Sequence, residues 1–156
     1  MLTRIKNMFG IDGVKINIDA DSDIDLTNSE LKFDIAFSSK TDLVVDWVTV
    51  KVIEKYKRGW GDSKLIDEYI LHESTEELDL LISAEEKLVA PIKVKLDYQQ
   101  SEVERMGNKR LLRPFVKAAM VIKRVSSNVR IEVSAKVKGV KMNPLATHHF
   151  SKVRKY

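Results

Sequence analysis

Hydrophobic and polar positions take turns along most of the chain. Val14, Ile16 and Ile18 alternate with Lys15, Asn17 and Asp19, and Leu31, Phe33, Ile35 and Phe37 with Lys32, Asp34, Ala36 and Ser38. Leu88, Ala90, Ile92, Val94 and Leu96 repeat the pattern, as do Val129, Ile131, Val133, Ala135 and Val137. A period of two places every second side chain on one face of an extended strand, so these four stretches are predicted as strands. The β-branched stretch 43–57, LVVDWVTVKVIEKYK, is longer than an average strand and is expected to bend or bulge near Asp46. Further strands are expected at 64–73, 76–82 and 115–124, for about eight in all. Sheets with one wet face give this alternation, whereas parallel sheets covered on both faces read as solid apolar runs. The expected fold is therefore all-β, an antiparallel immunoglobulin-like β-sandwich.

Breaks in the pattern organise the rest. YKRGWGDSKL joins two strand patterns, so Arg58, Gly59, Trp60, Gly61 and Asp62 are expected at a hairpin tip, where glycine supplies the positive φ of a tight turn. Leu2, Ile5, Met8 and Phe9 recur at helical spacing in an amphipathic leader, residues 1–10. The segment 99–114 has no strand period, and a short helix is expected at 102–106 before Gly107. No repeat or linker divides the chain, and the expectation is a single domain, residues 1–156.

Composition changes this picture in two respects. There is no cysteine, which excludes disulfides, zinc-thiolate sites and thiol nucleophiles and suits a reducing, cytoplasmic location. The net charge of +4 hides a segregation: residues 12–34 carry seven carboxylates against two lysines, and residues 136–156 carry six Lys or Arg and no carboxylate. Opposite charges on neighbouring strands are one account of this. A basic tail over 139–156 that binds a polyanion or a membrane surface is the other.

Candidate chemistry is sparse. Asp19, Asp21, Asp23, Asp25 and Glu30 occupy calcium-loop spacing, but Ile24 stands where such a loop needs glycine to turn, so an acidic connection between strands is the preferred reading. His72, His148 and His149 lack the spacing of a zinc site, since adjacent histidines on a strand point in opposite directions. Neither a nucleophile elbow nor a phosphate-cradling glycine loop is present. The basic run around Arg105, Lys109, Arg110 and Arg113 has too few aromatics for a single-strand nucleic-acid binder. No enzyme activity, metal or cofactor is expected. Trp60 with Arg58, and the basic crossover Arg105, Lys109, Arg110 and Arg113, are the candidate partner-binding residues, because an aromatic beside arginine is enriched at binding hot spots.

The segments MLTRIKNMFGIDGVKINID, LKFDIAFSS, VVDWVTVKVIEKYK and KLVAPIKVKL, in that order, resemble the bacterial sporulation-control proteins of the arrestin-like superfamily. The resemblance covers most of residues 1–138. It implies an arrestin-like sandwich acting as a non-catalytic adaptor or regulatory module, with protein partners or a second copy bound through sheet edges and hairpin loops.

Overall fold

A computed structural model describes residues 13–59, 65–97 and 126–155. The leader 1–10, the helix expected at 102–106 and the strand expected at 115–124 lie outside the described residues. Those described form strands and turns with no helix: β1 (Lys15–Asp19), β2 (Asp23–Asp25), β3 (Glu30–Ser38), β4 (Leu43–Arg58), β5 (Leu65–Ile82), β6 (Lys87–Lys95), β7 (Ser126–Val137), β8 (Leu145–His149) and β9 (Lys152–Arg154).

Two antiparallel sheets make the layers of a β-sandwich. One has the order β1-β3-β6 and the other β5-β4-β7-β8, while β2 and β9 form a separate parallel pair. The alternation read from the sequence selects the inward faces. Phe33, Ile35 and Phe37 of the first sheet and Val129, Ile131, Val133, Ala135 and Val137 of the second are buried in one shared core. Each of these side chains other than Ala135 contributes on the order of 1.5–3 kcal/mol of burial free energy.

The expected irregularity in β4 falls at Asp46, where the register shifts against both β5 and β7. Its consequence is a change of parity. Val45 faces the core before the bulge, and Val48, Val50 and Val52 face it afterwards, so the inner face stays apolar across the bulge, from Val45 to Val52.

Three expectations are corrected. The stretches 64–73 and 76–82 are one strand, β5, because polar Ser74 and Thr75 continue the ladder opposite Val50 and Thr49. The basic tail is not a tail: β8 extends the larger sheet and β9 pairs with β2. The acidic connection is likewise structured around β2, with Ile24 and Leu26 in the core. Asp23 stands opposite Lys152 and Asp25 opposite Arg154, so the segregated charges meet on neighbouring strands.

Candidate functional site

One edge of the larger sheet, that of β5, carries its least conventional surface. Among the described residues β5 pairs only with β4, which leaves its other edge open. Leu65, Ile66, Tyr69 and Ile70 are all exposed, the last two at 50% and 56%. They come as neighbouring pairs, so apolar side chains leave the strand on both faces, and a sandwich core can accept only one of them. The sequence KLIDEYILHE shows these adjacent pairs. That departure from strict alternation is the sequence signal for an exposed apolar strand, and it lies apart from the pairing of Trp60 with arginine.

Charge gives the same strand a sign. Asp67, Glu68, Glu73, Glu76, Glu77 and Asp79 all lie on β5, with His72 as its one basic side chain. Glu73 is bridged by Lys51 at 3.4 Å, Glu68 by Arg130 at 3.2 Å, and Asp79 by Lys138 at 3.4 Å. Asp67, Glu76 and Glu77 have no ion pair among the described residues. The hydrogen bond and charge of Asp79 hold the Lys138 ammonium above its ordinary pKa. Glu132 first, and then Glu68, do the same for the Arg130 guanidinium against the opposing effect of burial.

One tie fixes the middle of this edge. The Asp97 amide donates to the Leu71 carbonyl at 2.8 Å, His72 Nδ1 bonds the Lys95 carbonyl at 3.0 Å, and His72 Nε2 bonds Ser74 Oγ at 2.9 Å. His72 is thereby a structural link between the sheets. His148 ties β8 to the connection between β1 and β2, bonding the Asp21 carbonyl at 3.0 Å, while His149 is exposed. Among the described residues no group of three His, Cys, Asp or Glu side chains could hold a metal.

Of the predicted partner-binding residues, Arg58 is exposed at the end of β4, opposite Leu65 and thus beside the apolar edge. Gly59 follows it with φ of 97°, the positive φ expected of the turn. Trp60, Arg105, Lys109, Arg110 and Arg113 lie outside the described residues. In the acidic stretch, Asp25 accepts bonds from the Thr27 amide, at 2.9 Å, and from the Thr27 hydroxyl. The tail residues Phe150 and Lys155 are buried, so neither presents itself to a polyanion. No helix among the described residues is long and apolar enough to cross a membrane.

No family model and no curated protein matches the sequence. Among solved structures, the fold is similar to that of Spo0M, the sporulation control protein of Bacillus subtilis, with a TM-score of 0.59 at 9% identity over 92% of this chain and 50% of that one. A protein from Archaeoglobus fulgidus is matched with a TM-score of 0.42 at 8% identity, over 88% of this chain and 91% of that one. The E. coli curli protein CsgC is matched with a TM-score of 0.37 at 7% identity, over 86% and 97%. The chain spans about half the length of Spo0M. At such identity the likeness to Spo0M shows a shared β-sandwich fold, and the fold alone.

Proposed function

We propose that the chain is a non-catalytic interaction module that captures an extended segment of a protein partner along the free edge of β5. The observation that carries this reading is the exposure of Leu65, Ile66, Tyr69 and Ile70 on a strand whose second edge pairs with no other strand among the described residues and is tied only at Leu71, by the Asp97 amide. An added strand gains main-chain hydrogen bonds from such an edge, and side chains on alternate positions set specificity. The carboxylates of β5 define the complement: a segment in which apolar residues alternate with Lys or Arg. Similarity to a sporulation control protein supports a regulatory or adaptor role of that kind, with Arg58 contributing at the hairpin end of the edge.

The test uses a synthetic peptide alternating Val with Lys and a matched peptide alternating Val with Glu, titrated against the full chain by fluorescence anisotropy. The basic peptide is expected to bind saturably and the acidic one not. Replacing Tyr69 and Ile70 together by Lys should abolish that binding while leaving the thermal melt in place, because both side chains are exposed. Equal binding of the two peptides, or an unchanged titration in the double variant, overturns the reading.

A further inference from the structure

The hydrogen-bond parity of the larger sheet fixes which backbone groups of β5 are open. A strand residue in an antiparallel ladder turns its amide and carbonyl to the same side, and successive residues turn to opposite sides. The Ala135 amide donates to the Pro144 carbonyl and the Phe150 amide to the Val129 carbonyl, so odd-numbered residues of β7 bond toward β8 and even-numbered ones toward β4. Arg130, Asn128 and Ser126 thus bond Ile53, Lys55 and Lys57 of β4, which leaves Glu54, Tyr56 and Arg58 to bond Tyr69, Asp67 and Leu65 of β5. Ile66, Glu68 and Ile70 therefore present amide and carbonyl to the open side.

The opening is short. Leu71 is the extra residue at the register shift between Val52 and Ile53, and its carbonyl already accepts the Asp97 amide at 2.8 Å. His72, the next residue, is bonded to the Lys95 carbonyl at 3.0 Å. An added strand can run without interruption only along residues 65–70, and the carboxylates of Glu73, Glu76, Glu77 and Asp79 lie beyond the tie.

Within this window two neighbouring carboxylates differ. Successive side chains of a strand point to opposite faces, so Asp67 shares its face with Leu65 and Tyr69, and Glu68 with Ile66 and Ile70. Glu68 stands opposite Lys55 and passes over it to Arg130 Nη1 at 3.2 Å, and Arg130 is shared with Glu132 at 2.7 Å. On that face the three cations Lys55, Lys57 and Arg130 stand against the two carboxylates Glu68 and Glu132, so a further cation opposite Glu68 gains little. Asp67 is exposed and has no ion pair among the described residues. A cation opposite it meets a carboxylate between two apolar side chains, which exclude water once a strand is laid beside them.

We infer that Asp67 is the specificity-determining residue of the β5 edge, which takes an antiparallel segment of six residues with a single Lys or Arg opposite Asp67, a neutral residue opposite Glu68, and apolar side chains opposite Leu65, Ile66, Tyr69 and Ile70. Antiparallel pairing is the more stable per residue. The inference rests on the reading of this edge as a docking strand and narrows its partner to one cation among apolar pairs.

Two peptides, Val-Val-Thr-Lys-Val-Val and the same sequence with Glu in place of Lys, each flanked by Gly and Ser, are titrated against the full chain by fluorescence anisotropy. Wild type is expected to bind the Lys peptide at least about tenfold more tightly, through attraction in one case and like-charge repulsion in the other. Asp67→Asn should bring the two affinities within about threefold, and Asp67→Lys should invert their order. Thermal melts of both variants should match wild type, because the side chain is exposed. A Lys preference that survives Asp67→Asn, or that is lost in Glu68→Gln instead, overturns the assignment of Asp67, and the edge reading stands if Tyr69→Lys with Ile70→Lys still abolishes binding. Binding of the longer alternating Val and Lys peptide without binding of either short one overturns the six-residue window alone. Binding of none of them overturns the edge reading as well.

Discussion

Glu54 occupies a position that the alternation of β4 reserves for apolar side chains, between inward-facing Val52 and Tyr56. It is 3% exposed, and its partner Lys155 is 9% exposed. The Lys155 ammonium lies 2.6 Å from Glu54 Oε1 and 4.9 Å from the centre of the Tyr56 ring, and Ser127 Oγ donates to the same carboxylate oxygen at 2.8 Å. A buried carboxylate requires such company, because an unpaired charge in the core costs far more than a paired one. Glu54→Gln or Lys155→Met alone is expected to lower the unfolding free energy by about 3–5 kcal/mol in urea melts, whereas Glu54→Leu combined with Lys155→Leu recovers most of the loss. The sequence exposes half of this arrangement: a glutamate in the apolar phase of a strand announces that it needs a cation. Which cation serves is invisible there, since Lys155 reaches it only through the return of the chain as β9.

At the scale of elements, the pairing of β2 with β9 turns two oppositely charged segments into one acid-sensitive contact. The Thr27 hydroxyl bond is the main cause that holds the Asp25 carboxyl below its ordinary pKa of 3.8; burial acts against it, and the Thr27 amide and the Arg154 charge add to the lowering. A carboxylate with a lowered folded-state pKa stabilises the fold above its unfolded value, and that contribution is lost as the pH falls through the folded value. The stability gap between wild type and Asp25→Asn is therefore expected to be widest at neutral pH and to close below 3.8, as read from urea midpoints across that range. A gap that stays constant with pH would show that the carboxylate's charge plays no part. Short strands such as Asp23–Asp25 and Lys152–Arg154 escape a reading by period, because three residues hold barely one alternation. Long elements are more legible. The bulge at Asp46 follows from the excess length of β4, whereas the continuity of β5 is hidden because Ser74, Thr75 and the glutamates beside them interrupt its apolar content.

Across the whole molecule, the buried core and the proposed recognition edge sit on different surfaces of the same sheet. Ile131 is fully buried at the centre of the sandwich, and Ile70 stands exposed on its edge strand. Ile131→Ala is expected to cost about 2–5 kcal/mol through lost burial and a residual cavity, and Ile70→Ala to stay within about 0.5 kcal/mol of wild type, both read from urea midpoints. Comparable losses at the two sites would mean that the edge of β5 is covered.

Alternation alone decided that the two main sheets are built from antiparallel strands and which of their side chains enclose the core, because inward and outward positions along a strand are a local property of the backbone. The partners across the sheets were decided by the assembled chain. Only there does Glu68 pass over Lys55 to reach Arg130, Lys155 return to Glu54, and β5 fall at an edge with its apolar pairs uncovered by the described residues. Strand order and long-range register place residues together that no spacing along the sequence relates, and the candidate surfaces are made of such encounters.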